Sequence, residues 1–215
     1  MILFLYGLPG SGKGTQSELI KESFNFIHLS TGDIIRDIIN NKKKGWEELN
    51  SYVSKGQLVP DILINEIFFS TLEEKGFESS FIIDGYPRTI NQLILVEEKL
   101  NKIKNIEVLH LYIRCEEEKI IKRITSRRIC EACGAIYNIE LDKDVQSCKL
   151  CGGKIYQRTD DSYSVIVKRI EEYKNKTLPV INKLIEKNSL YEIDGDRNVN
   201  DVFDDIYKLL KGKVQ

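Results

Sequence analysis

An excess of either charge is missing from this chain: 32 Lys and Arg stand against 33 Asp and Glu, a formal net charge of -1 over 215 residues. Bulk attraction to nucleic acid or to an anionic membrane needs a basic surface, so neither is expected as a partner. No apolar run approaches the length of a membrane span, and no internal repeat is present. A strand pattern already begins at Ile2, which leaves no room for a removable targeting peptide; a cytoplasmic location is the expectation. Histidine is scarce. His28 and His110 both fall inside strand patterns and are assigned no chemical role. The remainder, 41% hydrophobic and 30% charged, is the composition of one ordinary soluble domain with room for insertions.

The chain is organised around Gly7-Leu8-Pro9-Gly10-Ser11-Gly12-Lys13-Gly14-Thr15. Ile2 to Tyr6 before it is unbroken apolar sequence, the pattern of a strand buried on both faces. After it, Leu19, Ile20 and Phe24 recur at helical spacing. Strand, glycine-rich turn and helix start in that order predict a phosphate-binding loop. Glycines let backbone N–H groups converge on one anion, the helix N-terminus adds partial positive charge, and a lysine reaches the outer phosphates. One position departs from the general pattern, because Gly14 follows the lysine where a Ser or Thr would hold Mg²⁺.

Downstream, short apolar strands alternate with helices. Phe26 to Leu29 reads as a second strand, and Ser30-Thr31-Gly32-Asp33 as a capped helix start carrying Arg36 one turn in. Trp46, Leu49, Tyr52 and Val53 suggest another short helix; Gln57 to Asp61 is an extended turn, and a further helix stops at Gly76. Phe81 to Asp84 is a third strand with a carboxylate at its end, the usual Mg²⁺ partner in a phosphate-loop protein. Ile106 to Ile113 and Leu190 to Ile193 complete five strands. Between the last two, Arg123 and Arg127 are placed on one face of a helix, and after the last Asn200 opens a final amphipathic helix. The alternation predicts an α/β fold with a doubly wound parallel sheet, interrupted by a small helical insertion.

Between Arg128 and Arg158 the pattern breaks. Cys130 and Cys133, then Cys148 and Cys151, form two Cys-x-x-Cys knuckles with glycine behind each. Four thiolates close a tetrahedron with no open position, which predicts a structural rather than catalytic metal. Such a site can supply roughly 10–16 kcal/mol of apparent binding energy to a segment too short to bury its own core. Redox-active dithiols are the alternative. Cys115 lies outside the set and reads as an ordinary strand-end residue.

Taken in order, Gly7 to Gln16, Ser30 to Asp33, Gly56 to Asp61, Asp84 to Thr89 with Gln92, Arg127-Arg128 and Arg158 to Asp161 closely resemble the adenylate kinase family, in its long form with a metal-binding lid. The resemblance covers nearly the whole chain. It implies a core over 1–29, 62–126 and 161–215, an acceptor-binding insertion over 30–61 and a lid over 127–160. It also implies reversible phosphoryl transfer from Mg²⁺-ATP to AMP giving two ADP, one structural Zn²⁺, a monomer, and closure of the lid over the substrates. By the same resemblance, Gly10, Ser11, Gly12, Lys13, Gly14 and Thr15 would hold ATP phosphates, with Arg197 where the backbone meets the ATP base. Thr31, Arg36, Leu58, Val59, Gly85, Arg88 and Gln92 match the AMP site. Arg123, Arg127, Arg158 and Arg169 match the phosphate-clamping arginines, Arg158 and Arg169 also on the AMP side. Asp160 and Asp161 match lid acids. Two departures are visible: the ribbon between the knuckles is slightly short, and Ser162 to Val165 stand where the family usually has acids.

Arginine usage points the same way. The chain holds 23 Lys against 9 Arg, yet six of the nine arginines fall at these matched positions. Arginine is favoured where two planar N–H donors must meet phosphate oxygens. Crowding those cations beside Lys13 is expected to be repulsive unless phosphates fill the centre, which favours an open ligand-free state. Competing readings remain: a related nucleoside monophosphate kinase, a donor preference for GTP, a regulatory GTPase, or a zinc-ribbon nucleic-acid binder. Thr31 and Gln92 favour AMP as acceptor. No Asn-Lys pair continues into the guanine motif, and the acidic ribbon suits nucleic acid poorly.

Overall fold

The computed structural model describes residues 1–103 and 106–213. Ile2–Tyr6 forms β1, and Lys13–Phe24 forms α1. The second strand, β2, runs Ile27–Ser30, displaced one residue from expectation; α2 follows at once over Thr31–Asn40, with the Ser30 hydroxyl accepting from the Asp33 N–H. Then come α3 (Trp46–Val53), α4 (Asp61–Lys75), β3 (Phe81–Asp84), α5 (Ile90–Leu100), β4 (Val108–Arg114) and α6 (Glu117–Thr125). Three short strands follow, β5 (Arg127–Cys130), β6 (Ile136–Asn138) and β7 (Ile155–Tyr156). A 3₁₀ turn over Thr159–Asp161 leads to α7 (Tyr163–Glu172), a π-helical turn over Tyr173–Thr177, and α8 (Leu178–Glu186). The chain ends with β8 (Leu190–Asp194) and α9 (Val199–Lys211). The cap of α9 is Asn198, not Asn200: its side-chain oxygen accepts from the N–H groups of Asn200 and Asp201.

The five long-range strands form one parallel sheet in the order β2-β3-β1-β4-β8. Because side chains alternate along a strand, β1 feeds both faces. Ile2, Phe4 and Tyr6 join one apolar core with α4, α5 and α8; Leu3 and Leu5 join the other with α1, α6, α7 and α9. Every residue of β1 is 3% exposed or less. Burial on both faces explains the unbroken apolar run and fixes β1 at the centre. The order reverses at β1, whose neighbours β3 and β4 are followed by helices on opposite faces. A crevice at the carboxyl ends of the strands results.

Two smaller parts rise from that edge. Helices α2 and α3 lie between β2 and α4, packed on the first core through Ile35 and Leu49. The antiparallel sheet β6-β5-β7 has a core of only Cys130, Tyr137 and Cys148, with Ala135, Val145 and Ile155 against it. No helix is long and apolar enough to cross a membrane among the described residues.

His110 sits deep in β4, opposite Phe4. Its ring stacks on Phe4 with centroids 5.2 Å apart, and its Nδ1 lies 2.9 Å from the Tyr6 hydroxyl. Burial pushes its pKa down from 6.5 to about 4, against the pull of Glu97 and with the push of Lys187. The unfolded chain therefore binds a proton that the folded chain refuses, and stability falls as pH drops through the window between those values. From pH 7 to pH 5 the loss from this group is roughly 2 kcal/mol. Urea denaturation at the two pH values measures it. His110→Gln, which keeps a partner for Tyr6, is expected to flatten the dependence; an unchanged slope would assign it elsewhere.

Candidate active site

The turn after β1 is shaped by glycine. At Gly7 the backbone has φ +152°, and a Cβ there would lie 2.4 Å from the Ser11 Oγ and 2.7 Å from the Ile113 carbonyl. Only a hydrogen lets the loop fold back over β4. Helix α1 then starts at Lys13 with Gly12 as its cap, no capping side chain and no acid in its first turn. Its leading N–H groups have no partner in the helix and face the cavity as an anion seat. Lys13 Nζ arches over the loop, donating to the carbonyls of Gly7 (2.9 Å) and Leu8 (3.0 Å). Its pKa is lowered, first by burial and then by Arg88, Arg169 and Arg127, while Asp84 opposes.

Opposite the loop, Thr31 opens α2 and its hydroxyl donates to the Gly85 carbonyl at 2.8 Å. Gly85 is the second position where glycine is required: at φ +85° a Cβ would stand 2.6 Å from Arg88 Nη2 and 2.7 Å from Thr31 Oγ1. Arg88 Nε donates to the Gly85 carbonyl at 2.7 Å. Burial, with Arg169 and Arg36 nearby, lowers the Arg88 pKa to about 10, although Asp84 opposes the shift. Leu58 and Val59 close this side, and Gln92 lies beneath it on the first turn of α5.

The arginines come from α2, α6, β5, α7 and two loops and are interleaved with carboxylates. Arg127 grips Asp161 through two bonds, Nε–Oδ2 at 2.9 Å and Nη2–Oδ1 at 2.5 Å. Arg169 donates to the Asp160 carbonyl and carboxylate, both at 3.1 Å. Asp33 stands between Arg36 (2.5 Å) and Arg158 (3.2 Å). Burial works to raise the Asp33 pKa, but the two guanidiniums and the Ser30 hydroxyl hold it at about 2. Arg123 directs both Nη atoms to the Gly195 carbonyl at 3.1 Å and rests on the Cys115 sulfur. The expectation that only phosphates could balance these cations is thus amended: Asp33, Asp160 and Asp161 do so within the protein.

Every residue assigned above to donor, acceptor or phosphate positions lines one cavity of about 1530 Å³, Asp84 and Arg197 included. Arg127, however, is not on a helix with Arg123. Helix α6 ends at Thr125, and Arg127 instead begins β5, paired with Asn138. Strand pairing in the small sheet outcompetes another helical turn, yet both arginines reach the same cavity. The Arg197 side chain turns away to Asp205 (2.6 Å).

In the small sheet, the sulfurs of Cys130, Cys133, Cys148 and Cys151 all lie within 4.8 Å of one another. Cys130 and Cys151 are 3.5 Å apart, as are Cys133 and Cys148. A tetrahedron of thiolates at the usual zinc–sulfur distance has edges of roughly 3.8 Å, so the four fit one such ion. Tyr137 completes the site from behind. Its hydroxyl accepts from the Lys149 N–H at 2.9 Å, leaving its proton for Cys148 Sγ at 3.2 Å.

A family model described as adenylate kinase matches residues 5–189. Among curated relatives, the adenylate kinase of Clostridium tetani is 42% identical over 212 residues, covering 98% of each chain. Those of Bacillus licheniformis and Petrotoga mobilis are 38% and 36% identical, covering 99% and 98% of each chain. The chain belongs to the adenylate kinase family.

Within this member of the family, some supporting groups escaped the sequence reading. Asp33 and Asp61 stand in the sequence only as parts of motifs, and Tyr137 and Gly195 belong to no motif at all. None has a pattern of its own, because each acts through a partner distant in sequence. Asp161 is fully buried against Arg127 and Arg169, whereas the Asp33 side chain is 55% exposed. Asp161→Ala leaves the Arg127 guanidinium without its carboxylate and Arg169 with Asp160 alone, and should lower the unfolding free energy by about 3 kcal/mol. Asp33→Ala should cost less than about 1 kcal/mol. Denaturant melts of the two variants compare them; equal losses would contradict this ranking.

Proposed function

We propose that this chain transfers the terminal phosphoryl group of ATP to AMP, reversibly, giving two ADP. The observation that carries the reading is the convergence of the loop, the α2 and β3 ends and the arginines on one cavity. At about 1530 Å³ it exceeds the roughly 300–1,000 Å³ of a pocket for one small ligand. The loop amides from Gly10 to Thr15 and Lys13 hold the donor phosphates, with the backbone at Arg197 beside the donor base. Thr31, Leu58, Val59, Gly85 and Gln92 hold AMP, its phosphate drawn to Arg36 and Arg88. Gln92 meets the adenine edge with its amide.

An AMP phosphate oxygen attacks the γ-phosphorus of ATP, and the bond from that phosphorus to the β–γ bridging oxygen breaks, leaving ADP on each side. The nucleophile is already an anion, so no general base is needed. Arg123, Arg127, Arg158 and Arg169 balance the charge on the transferring group and exclude water from it. Asp84, at the end of β3 among these cations, supplies the acidic oxygen that suits Mg²⁺ bound with ATP, which neutralises phosphate charge. The parts divide as a core over 1–29, 62–126 and 161–215, an AMP-binding insertion over 30–61 and a lid over 127–160. The chain works as a cytoplasmic monomer, and its lid holds one Zn²⁺ on Cys130, Cys133, Cys148 and Cys151.

A coupled assay of AMP, CMP, UMP and GMP with ATP and with GTP tests the reading. AMP with ATP should be turned over at least about a hundredfold faster than the pyrimidine acceptors, as a site hydrogen-bonded to one base rejects others strongly. Equal turnover of AMP, CMP and UMP would overturn it. Metal analysis of protein purified without chelator should find one zinc per chain, and Tyr137→Phe should lose it to a chromophoric chelator about tenfold more readily. Metal-free protein with four titratable lid thiols and an unchanged melting temperature would refute the metal assignment.

A further inference from the structure

Gln92 is 2% exposed, and half of its hydrogen-bonding capacity is already committed. Its Nε2 donates to Asp61 Oδ1 at 2.6 Å, and its Oε1 accepts from the Arg88 N–H at 2.6 Å. One partner is a carboxylate that can only accept; the other is a backbone amide that can only donate. Together they define which end of the side chain is nitrogen. Asp61 is itself held in place. It occupies the first turn of α4, where the helix N-terminus favours a carboxylate. Its Oδ2 accepts from the Thr89 hydroxyl at 2.8 Å, and that hydroxyl in turn caps α5 by accepting from the Gln92 N–H at 3.2 Å.

We infer that Asp61 is a specificity-determining positioning residue: it locks the Gln92 amide in one orientation and so selects an aminopurine over an oxopurine acceptor. The inference rests on the reading that Gln92 meets the acceptor base. The amide has one N–H and one oxygen lone pair left for the cavity, a donor beside an acceptor. Adenine presents an amino donor at C6 beside an acceptor at N1. Hypoxanthine has the same outline with the pair reversed, a carbonyl acceptor beside an N–H donor. An amide free to turn over would serve either base. Turning it over here sets the NH₂ against the Arg88 N–H and the oxygen against the Asp61 carboxylate, losing two hydrogen bonds and creating two repulsions. A buried polar site left mismatched in this way discriminates far more strongly than shape alone.

The test compares kcat/KM for AMP and for inosine monophosphate, with saturating ATP, in wild type, Asp61→Ala, Asp61→Asn and Gln92→Ala. Asp61→Ala is expected to reduce the AMP preference about tenfold, chiefly through better use of the inosine nucleotide. Asp61→Asn, whose carbonyl can still accept from Gln92, should restore most of it. A merely structural role would lower both activities and leave the ratio alone. An unchanged ratio in Asp61→Ala, with a reduced one in Gln92→Ala, would overturn the lock while sparing the Gln92 reading. An unchanged ratio in Gln92→Ala would overturn both. Should Asp61→Ala fail to fold, NMR of the ligand-free wild type decides. One Gln92 side-chain N–H proton should be shifted downfield by its carboxylate partner, and an unshifted, averaged pair would overturn the inference.

Discussion

The structure depends on a charge constraint: many cationic side chains must face one cavity without driving the surrounding segments apart. Like charges about 4 Å apart repel by about 4 kcal/mol at an intermediate effective dielectric. Among the described residues three carboxylates at different depths supply the closest ion pairs, with Asp84 and Asp196 also near the cations. Asp161 is fully buried, Asp160 nearly so, and Asp33 stands at the rim. The first two sit in the 3₁₀ turn that joins the small sheet to α7. The ion pairs that neutralise Arg127 and Arg169 therefore also tie that sheet to the main body. Phosphate oxygens arriving in the proposed reaction meet Arg36, Arg127, Arg158 and Arg169 already paired with carboxylates, so there binding is an exchange of anions, whereas Arg88 and Lys13 donate to backbone carbonyls.

The parallel sheet sets the stage for this cluster. With β1 buried on both faces and its neighbours wound in opposite directions, the carboxyl ends of five strands open on one crevice. Four of the five strands deliver something to this edge: Lys13 after β1, Thr31 after β2, Asp84 at the end of β3 with Arg88 after it, and the Gly195 carbonyl after β8. The helix that follows β1 lacks any capping side chain, which would be costly in an interior turn but serves a site that takes an anion. The small sheet buries little apolar surface, since Ile129, Cys130, Tyr137 and Cys148 are its buried residues. Four convergent cysteine sulfurs and a tyrosine hydroxyl stand where a larger core would otherwise be.

Much of this was determined locally and was legible in the amino-acid sequence. The apolar run of β1, the glycine spacing to Lys13 and the two Cys-x-x-Cys knuckles are short-range patterns whose chemistry does not depend on the rest of the chain. Alternation of strands and helices was enough for a doubly wound parallel sheet, and motif order for the family. Tertiary structure decided what depends on pairing across distance. Arg127 follows α6 closely enough to be taken as helical, but its pairing with Asn138 makes it a strand residue. Arg169 reaches the cavity through α7, whose apolar positions carry no motif. The anion balance from Asp160 and Asp161, the Asp61 contact to Gln92 across 31 positions, and the Tyr137 contact to Cys148 are likewise silent in sequence. A hydrogen bond or ion pair is specified by geometry at both ends, and only the folded chain brings both ends together.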